Sequence, residues 1–580
     1  MIHAALYRYD ASLAAVPDLA AEPCDVADDL VTITCSLRAA TFHDGSPVTA
    51  EDVVYEYQLA NSQACVFVTC LAGRLRGAVA VDAQTVRFTL ERPYAPFVSS
   101  ILADILIEPR RQIETAYKAV AERAKGADPA PLEAVAGRIR EGLGAAEPDC
   151  ESSLEAGEKA LTEIGVELAD RRLFVIFLGR GFDACAYAEH LAGSLDQAAR
   201  SLGASGLDAV AAAYPLLPFQ TFNELPIGAG PWRVRDFNPE TGLTLESHAA
   251  HHHGAPATPE IRVRVMQAQE EIHGALADGS LDWLPFERPG EHVSLREIPS
   301  IKFAEYPTFA YGAVQYNLRP GRLFADRNLR QAVELCIDKE RIVQASVGGG
   351  VAIYSPIPPA SWAYQPGLAR PRDVAGARQL IEASGWEAGD DGVYARGTSR
   401  LAAEIVLRAD IPPAMALVDR IALQLRDCGI ELTPRGVDFR DALGMLETFP
   451  HVVPGSSEPF DVYFGGWAMG YDPDVTEIFH SSRITSETQG GPPYFNYVGF
   501  SDTRVDALLD EGLQTYDQAR RTEIYRELQR VLAEEQPYLF VSAIPGREPI
   551  DADLATTGEE LDLESPNWWW QLETLVNPDE

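Results

Sequence analysis

The sequence has few basic residues for its size. It holds 48 Lys and Arg residues against 86 Asp and Glu residues, so its formal net charge at pH 7 is −38. Such a surface repels the phosphates of nucleic acids and of anionic lipids, and no basic stripe could follow a nucleic-acid strand. We therefore exclude nucleic-acid binding. The charge names no ligand, because a solvated acidic surface explains it.

Long apolar runs and common catalytic motifs are also missing. The longest apolar run with the character of a strand, residues 173–178, is far shorter than the roughly 20 residues of a membrane-spanning helix. We find no Gly-x-Ser-x-Gly elbow, no Gly-x-x-x-x-Gly-Lys phosphate loop and no His-Glu-x-x-His zinc motif. We expect a protein without a membrane span that is not an enzyme and needs no cofactor.

No signal peptide is visible in residues 1–10, which lack a basic start followed by an apolar stretch. Either the protein is cytoplasmic or its export segment is missing from this chain.

Cysteine is scarce, with eight in 580 residues. The spacing suggests four pairs, although about 105 pairings are possible. These pairs are Cys24–Cys35, Cys65–Cys70, Cys150–Cys185 and Cys336–Cys428. An even count is typical of an oxidising compartment, so we favour disulfides. Buried free thiols are the alternative, and Cys336 has the position of a core thiol.

The first informative segment predicts a strand, a turn and a capped helix. Residues 31–38 alternate in polarity like a half-buried strand, and FHDG at 42–45 supplies a turn. Thr49, with Asp52 three residues later, predicts a capping box and a helix that begins at Ala50. Another strand is expected at 85–90, before a short helix.

The rest of the chain alternates helices and strands. Residues 110–222, rich in Ala, Glu and Gly, predict amphipathic helices, and two strands are expected at 232–236 and 243–246. Apolar stripes with helical spacing follow at 329–337, 505–513 and 524–532. Gly385 and Gly429 stand where helices end. The length of 580 residues exceeds one ordinary core, so we predict an α/β protein of at least two domains.

The order of these segments resembles the family 5 extracellular solute-binding proteins, which include the dipeptide-, oligopeptide- and nickel-binding components of bacterial ABC importers. The similarity covers nearly the whole chain except about 110–222. Each motif alone is weak, but their shared order is specific. The motifs are the strand, turn and helix at 37–55, PIGAGPW at 226–232, residues 275–282, YN at 316–317, FADRNLRQA at 324–332, IDKERI at 337–342, FDVY at 460–463, and Gly-Trp at 466–467 with YDPD at 471–474.

The resemblance implies a two-lobed type II periplasmic-binding-protein fold with an additional subdomain and a helical insertion. Lobe I would combine residues 1–10, 223–307 and 546–580, the subdomain would span 11–222 with the insertion at about 110–222, and lobe II would span 308–545. The hinge would lie near 307 and 545. Family members are exported and many are lipid-anchored, which implies an extracytoplasmic protein, periplasmic or at the cell surface, whose export signal is absent from this chain.

The candidate ligand-binding residues are Arg408, Trp467, Gly470, Tyr471 and Asp472. Arg408 has a position similar to that of the arginine that holds the ligand carboxylate in dipeptide-binding relatives; a planar guanidinium suits a carboxylate because two parallel hydrogen bonds orient it. The alternative is a surface arginine. Trp467 would form a floor for ligand side chains, with core packing as the alternative.

The loop after Trp467 departs from the family. Gly470 stands where relatives that bind peptide amines have an aspartate, so amine recognition is in doubt. Tyr471 and Asp472 follow in the same loop. Asp472 could compensate for the missing aspartate, but capping a helix at 475–479 is the favoured role.

A histidine cluster and a tryptophan cluster each allow two interpretations. His248, His251, His252 and His253 could bind a divalent metal through imidazole nitrogens, but we favour a solvated loop. The tryptophans at 568–570 could face a membrane, but we favour core packing.

The resemblance implies capture of a solute by closure of two lobes, and delivery to a permease. The partners would be a peptide or another small oligomeric solute and an ABC permease complex, and the protein would be a monomer. Two alternatives stay open, a metal or metal-chelate binding protein and a transport-inactive sensor or scaffold of the same fold.

Overall fold

The structure is a computed structural model that describes most of the chain. The described residues are 1–62, 71, 73–115, 129–144, 149–163, 184–201, 226–238, 240–266, 268–285, 292–345, 350–438, 441–442, 445–446, 460–485, 495–543 and 545–577. Within these ranges, no helix combines the length and apolar character needed to cross a membrane. The apolar run at 173–178 and the pair Cys65–Cys70 lie outside the described residues.

The N-terminal part is an antiparallel sheet packed against one helix. Its elements are β1 (Ala4–Ala5), β2 (Tyr7–Tyr9), β3 (Ala15–Pro17), β4 (Asp25–Val26), β5 (Thr32–Ser36), α1 (Ala50–Asn61), β6 (Leu75–Asp82), β7 (Thr85–Leu90), a π-helical turn (Phe97–Ile101), α2 (Leu102–Asp104) and β8 (Leu106–Ile107). The sheet has the order β4-β5-β7-β6. The predicted capping box is confirmed, because Asp52 accepts a hydrogen bond from the Thr49 N–H at 2.8 Å and α1 begins at Ala50.

Three amphipathic helices follow, as the composition predicted. They are α3 (Pro129–Leu143), α4 (Cys150–Glu163) and α5 (Ala184–Ser201). Their apolar faces share one cluster of buried residues that also includes Tyr55 of α1. The three helices therefore pack on each other and against the N-terminal part.

The next segment forms a small antiparallel sheet of order β11-β10-β9. Its elements are β9 (Trp232–Asn238), β10 (Gly242–Ser247), β11 (Glu260–Arg264), α6 (Gln269–Ala277), α7 (His292–Leu295) and β12 (Ile301–Tyr306). β9 and β10 confirm the strand pair predicted from the sequence.

The C-terminal half is built on a six-stranded mixed sheet of order β14-β21-β13-β20-β18-β19. Its elements are β13 (Ala310–Tyr316), a 3₁₀ turn (Leu323–Ala325), α8 (Arg327–Cys336), α9 (Lys339–Gln344), β14 (Val351–Ala352), α10 (Val374–Ala383), β15 (Glu387–Ala388), β16 (Tyr394–Arg396), β17 (Ser399–Arg400), β18 (Ala402–Arg408), α11 (Pro412–Arg426), β19 (Glu431–Val437), β20 (Val462–Ala468), α12 (Thr476–Phe479), a 3₁₀ turn (Ser481–Arg483), α13 (Thr503–Gln514), α14 (Gln518–Glu535) and β21 (Tyr538–Ala543). β18 runs parallel to both of its neighbours, β19 and β20.

The tail returns to the first part of the chain. It contains β22 (Gly546–Asp551), β23 (Ala555–Thr556), a 3₁₀ helix (Trp568–Thr574) and β24 (Leu575–Val576). Trp568 is buried in one cluster with Trp232 and Ile550. The prediction of core packing is confirmed for Trp568, whereas Trp570 is 37% exposed.

Two strands cross between the halves side by side. β12 pairs with β22 in antiparallel register, with Tyr306 opposite Gly546, and beyond them Tyr311 of β13 lies opposite Ala543 of β21. The chain thus passes twice between the tail-containing part and the six-stranded sheet at adjacent positions, next to 307–309 and 545. The domain boundaries given above remain a prediction.

Three of the suggested disulfides are present. Cys24 bonds to Cys35, Cys150 to Cys185 and Cys336 to Cys428. The expectation of a free core thiol at Cys336 was wrong, because Cys336 faces the buried Cys428 that follows α11 and forms a disulfide with it. Its core position is confirmed, since Cys336 is fully buried.

The segment with four histidines is not the solvated loop that we favoured. His248 and His251 are buried, at 7% and 6% exposure. His252 and His253 both lie against the carboxylate of Asp18, which follows β3. The prediction failed because the segment packs against the N-terminal strands, which its local sequence does not reveal.

Candidate functional site

Two parallel strands bring the candidate residues to one edge of the central sheet. β18 and β20 are neighbours, with Leu407 opposite Phe464. Arg408 ends β18, and Trp467 lies near the end of β20. Because the carboxyl ends of parallel strands share one edge of a sheet, Arg408, Trp467 and the loop 469–474 lie on the same side of it, which is where α/β folds commonly bind ligands.

The Arg408 guanidinium is held by a nearby carboxylate. Its Nε donates to Oδ1 of Asp410 at 2.9 Å, and its Nη2 donates to Oδ2. This pairing raises the pKa of Arg408 above its usual value, so the side chain stays charged. The Arg408 side chain is 17% exposed. A ligand carboxylate that reached Arg408 would compete with Asp410 for the same donors.

Trp467 belongs to a cluster of three aromatic rings. Its ring stacks on Tyr497 with centroids 5.7 Å apart and 20° between the planes, and Phe495 meets it edge-on at 5.7 Å. Tyr497 is buried, whereas Phe495 is 42% exposed. The cluster forms a half-open apolar surface that suits contact with a ligand side chain.

Tyr471 joins three distant parts of the chain. Its ring contacts Tyr9 at a centroid distance of 4.5 Å and Phe309 at 5.2 Å, both edge-on. Gly470, just before it, is exposed, and a Cβ at that position would have no atom within 4 Å. The place where an acidic side chain was expected therefore faces open space.

Asp472 lies in a buried ion pair that sequence reasoning missed. Its two carboxylate oxygens accept hydrogen bonds from Nη1 and Nη2 of Arg521, each at 2.8 Å. Ser99 Oγ donates to the same carboxylate. The side chains of Arg521 and Asp472 are 3% and 5% exposed. Although burial opposes it, the Asp472 carboxylate raises the pKa of Arg521.

The expected cap role of Asp472 was wrong. The helix there is α12, which begins at Thr476, and the Thr476 N–H donates to Oδ1 of Asp474 at 2.9 Å. Asp472 accepts from the Asp474 N–H at 3.2 Å, so it fixes the turn before the helix. Asp474 caps the helix instead of Asp472 because the Asp472 carboxylate is buried against Arg521 and is directed away from α12.

A small cavity with room for about one water molecule lies beside this loop. Apolar side chains form most of its wall, and Gly470 and Asp472 border it. The apolar residues include Phe309, Ile357, Pro358, Met469 and Val475. The wall is chiefly apolar, but the cavity is too small to accommodate a ligand group in this form of the protein.

Contacts across the site join the N-terminal part to the C-terminal half. Besides the Ser99–Asp472 hydrogen bond, Arg74 Nη2 lies 3.1 Å from Oε1 of Glu477, and the Ala95 N–H donates to the Leu513 carbonyl at 2.7 Å. The loop 470–477 thus contacts both the N-terminal part and the C-terminal half.

One sequence signal could have identified Arg521. It lies three, four and seven residues before Ile524, Tyr525 and Leu528, all of which are buried. An arginine on the apolar stripe of a helix needs a buried partner. Ser99 and Tyr9 carried no such signal, because their role depends on how distant segments pack.

The comparisons with known proteins agree with this arrangement. The chain matches the family model of bacterial extracellular solute-binding proteins, family 5 Middle, at residues 14–133 and 198–486. It is 23% identical over 322 residues to the oligopeptide-binding protein AppA of Bacillus subtilis (54% of this chain, 56% of the relative). It is 22% identical over 327 residues to the dipeptide-binding protein of Escherichia coli (56% of this chain, 57% of the relative). The match thus spans little more than half the length of these curated relatives.

Solved structures share the fold over nearly the whole chain. AppA of Bacillus subtilis in complex with a nonapeptide has a TM-score of 0.63 at 18% identity, covering 100% of this chain and 93% of that one. NikZ of Campylobacter jejuni in complex with Ni(L-His) has a TM-score of 0.66 at 16% identity, covering 99% and 94%. The predicted α/β, two-lobed periplasmic-binding-protein fold is confirmed.

Proposed function

Because the chain belongs to the bacterial extracellular solute-binding proteins of family 5, we propose that it is the substrate-binding component of an ABC importer and acts outside the cytoplasm. Its cargo is a peptide-like solute held at the edge of the six-stranded sheet and delivered to a permease. It performs no chemistry on the solute. The observation that carries the proposal is the convergence of Arg408, Trp467 and Tyr471 at this edge, beneath the N-terminal part.

Each group of the site has a role in this proposal. Arg408 binds the carboxylate of the solute, in exchange for Asp410 or together with it through a shared network. The ring of Trp467 and the exposed Phe495 contact an apolar side chain. Tyr471 closes the site against Tyr9 when the two parts approach each other.

The amine of a peptide receives no comparable partner at this loop. Gly470 has no side chain, and the carboxylate of Asp472 is already bonded to Arg521 and Ser99. We therefore expect recognition to depend on the carboxylate of the solute more than on a free amine.

Capture proceeds by closure about the paired crossing strands. β12 and β22 would bend next to 307–309 and 545, which brings Ser99 and Arg74 toward Asp472 and Glu477. The closed form then presents one surface to the permease.

The test compares three forms of the same short peptides: free, N-acetylated and C-amidated. Binding is measured by calorimetry after native mass spectrometry has identified any solute that purifies with the protein, and compaction is measured by small-angle X-ray scattering. We expect compaction with the free and acetylated forms and about 10–100-fold weaker binding of the amidated form, the worth of charge-assisted hydrogen bonds. Equal binding of amidated peptides would refute the carboxylate preference, and a broad solute library that never changes the scattering would refute solute capture.

A further inference from the structure

Three side chains that can bind a metal converge at the segment after β10. His252 Nε2 lies 2.7 Å from Oδ1 of Asp18, and His253 Nε2 lies 2.9 Å from the same oxygen. All three ligand atoms lie within 4.8 Å of one another. Zinc binds imidazole nitrogen and carboxylate oxygen at about 2.0–2.2 Å. To admit an ion, the two histidine nitrogens would have to move slightly away from the Asp18 oxygen, which small side-chain adjustments allow.

The group is held in place by burial and by backbone hydrogen bonds. The side chains of His252 and Asp18 are 1% and 10% exposed, and that of His253 is 22% exposed. The Asp18 N–H donates to the Leu6 carbonyl at 2.9 Å, and the Gly254 N–H donates to the His251 carbonyl at 2.8 Å. An ion would therefore meet a prearranged set of ligands, with access from the side of His253.

The donor types select the class of ion. Two imidazole nitrogens and one carboxylate oxygen suit Zn²⁺ and its neighbours in the first transition row, whereas Ca²⁺ and Mg²⁺ prefer oxygen ligands throughout. We propose that Asp18, His252 and His253 form a binding site for a zinc-type divalent ion. Three protein ligands leave a fourth position for water.

This group shares no residue with the proposed solute site, and an ion bound there would have a structural consequence. Asp18 lies 234 and 235 residues from the two histidines in sequence. An ion bound to all three would link the segment after β3 to the segment after β10. Because the unfolded chain cannot hold these ligands together, the ion stabilises the folded protein.

The test uses the full chain stripped with a chelator. Zn²⁺ is titrated by calorimetry, Co²⁺ is titrated while its visible absorption is recorded, and the thermal unfolding midpoint is measured with each ion. We expect one ion per chain, an absorption band typical of four-coordinate Co²⁺ and a raised midpoint that the chelator reverses. Binding of many weak ions without that band would overturn the proposal.

His253→Gln is the informative variant, because His253 is partly exposed and its replacement leaves the buried Asp18–His252 contact intact. We expect Zn²⁺ binding to weaken by about 100-fold or more, with loss of the Co²⁺ band and of the midpoint shift. His480→Gln is the matched control, since His480 also lies near carboxylates, 3.8 Å from Asp506 and 3.7 Å from Asp510. Equal Zn²⁺ binding by wild type and His253→Gln would refute the site, and peptide binding, measured in parallel, tests the proposed transport function independently.

Discussion

At the scale of single residues, Arg408 is the most direct link between the geometry and the proposed cargo. Its guanidinium lies at the sheet edge in a fork-like pair with the Asp410 carboxylate. We expect Arg408→Ala to weaken peptide binding by about 10–100-fold without unfolding the protein. Calorimetry with one peptide measures the effect.

Arg435→Ala is the control for this prediction. Arg435 lies on the adjacent strand β19, opposite Val406, and pairs with Glu404 at 3.0 Å. The substitution thus removes a similar ion pair that is directed toward the amino ends of the strands. Peptide binding should be unchanged in this variant. If both variants bound peptide as wild type does, Arg408 would be the surface arginine of the alternative interpretation.

Glu108 gives a prediction about stability and pH. Burial raises its pKa to about 7, against about 4.3 for an unfolded chain. Its folded form binds a proton more tightly, so the resulting stability is complete below about pH 4.3 and is lost as the pH rises through 7. Glu108→Gln should therefore be more stable than wild type at pH 8, by on the order of 1–3 kcal/mol, and nearly equal at pH 4.5.

Urea unfolding at the two pH values measures this difference. Glu133→Gln, an exposed change on α3, is the control and should follow wild type at both. A stability difference between Glu108→Gln and wild type that did not grow with pH would contradict the raised pKa.

The site residues differ in how far the sequence could predict them. The edge position of Arg408 and Trp467 was predictable because each lies at or near the end of a readable strand, and parallel neighbours end at the same edge. Their role in binding stays a prediction. The partners of Asp472 were missed because Ser99 and Arg521 are 373 and 49 residues away from it. A pattern within one segment cannot specify which distant segment will cover it.

At the scale of elements, Gly385 and Gly429 end two helices in the same way but in different surroundings. Both have a left-handed backbone, with φ of +78° and +77°. A Cβ at Gly385 would meet only Arg396 Cδ at 3.8 Å, whereas one at Gly429 would lie 2.5 Å from Tyr394 Cδ2 and 2.8 Å from the Gly392 carbonyl. We expect Gly385→Ala to cost about 1–2 kcal/mol, from the backbone alone.

Gly429→Ala should cost more, about 2–5 kcal/mol, because overpacking adds to the same backbone penalty. Denaturant unfolding of the two variants compares them directly. Equal losses would mean that the Tyr394 ring moves aside at no cost.

Elements with local signals were predicted well. The capping box fixed the start of α1, and the glycines after α10 and α11 marked their ends. The capping residue of α12 was assigned wrongly because two aspartates stand before it and only tertiary contacts choose between them. The histidine segment shows the same limit, since burial against Asp18 depends on a strand far away in sequence.

At the scale of the whole molecule, the order of motifs predicted the two-lobed fold although no local pattern did. The pairing of β12 with β22 joins segments that lie about 245 residues apart, and it sets the double crossing between the halves. The contacts that close the site come from both sides of this crossing. Among the described residues, they include the polar contacts Ser99–Asp472 and Arg74–Glu477 and the aromatic contact of Tyr9 with Tyr471.

Substitution of Ser99 tests whether the Ser99–Asp472 hydrogen bond contributes to closure. Its hydroxyl donates to Asp472 across the site, and Ser99→Ala removes that hydrogen bond while the Asp472–Arg521 pair remains. In the proposed closing motion this bond forms as the two parts approach, so its loss should favour the open form and weaken peptide binding by about 3–10-fold. Small-angle scattering of the unliganded variant should show a larger radius of gyration, with compaction restored by saturating peptide. Ser46→Ala is the matched control, because Ser46 Oγ donates to Asp44 in a turn of the N-terminal part and should leave the closure unaffected. Identical scattering and affinity for Ser99→Ala and Ser46→Ala would mean that the contact at Asp472 does not contribute to closure.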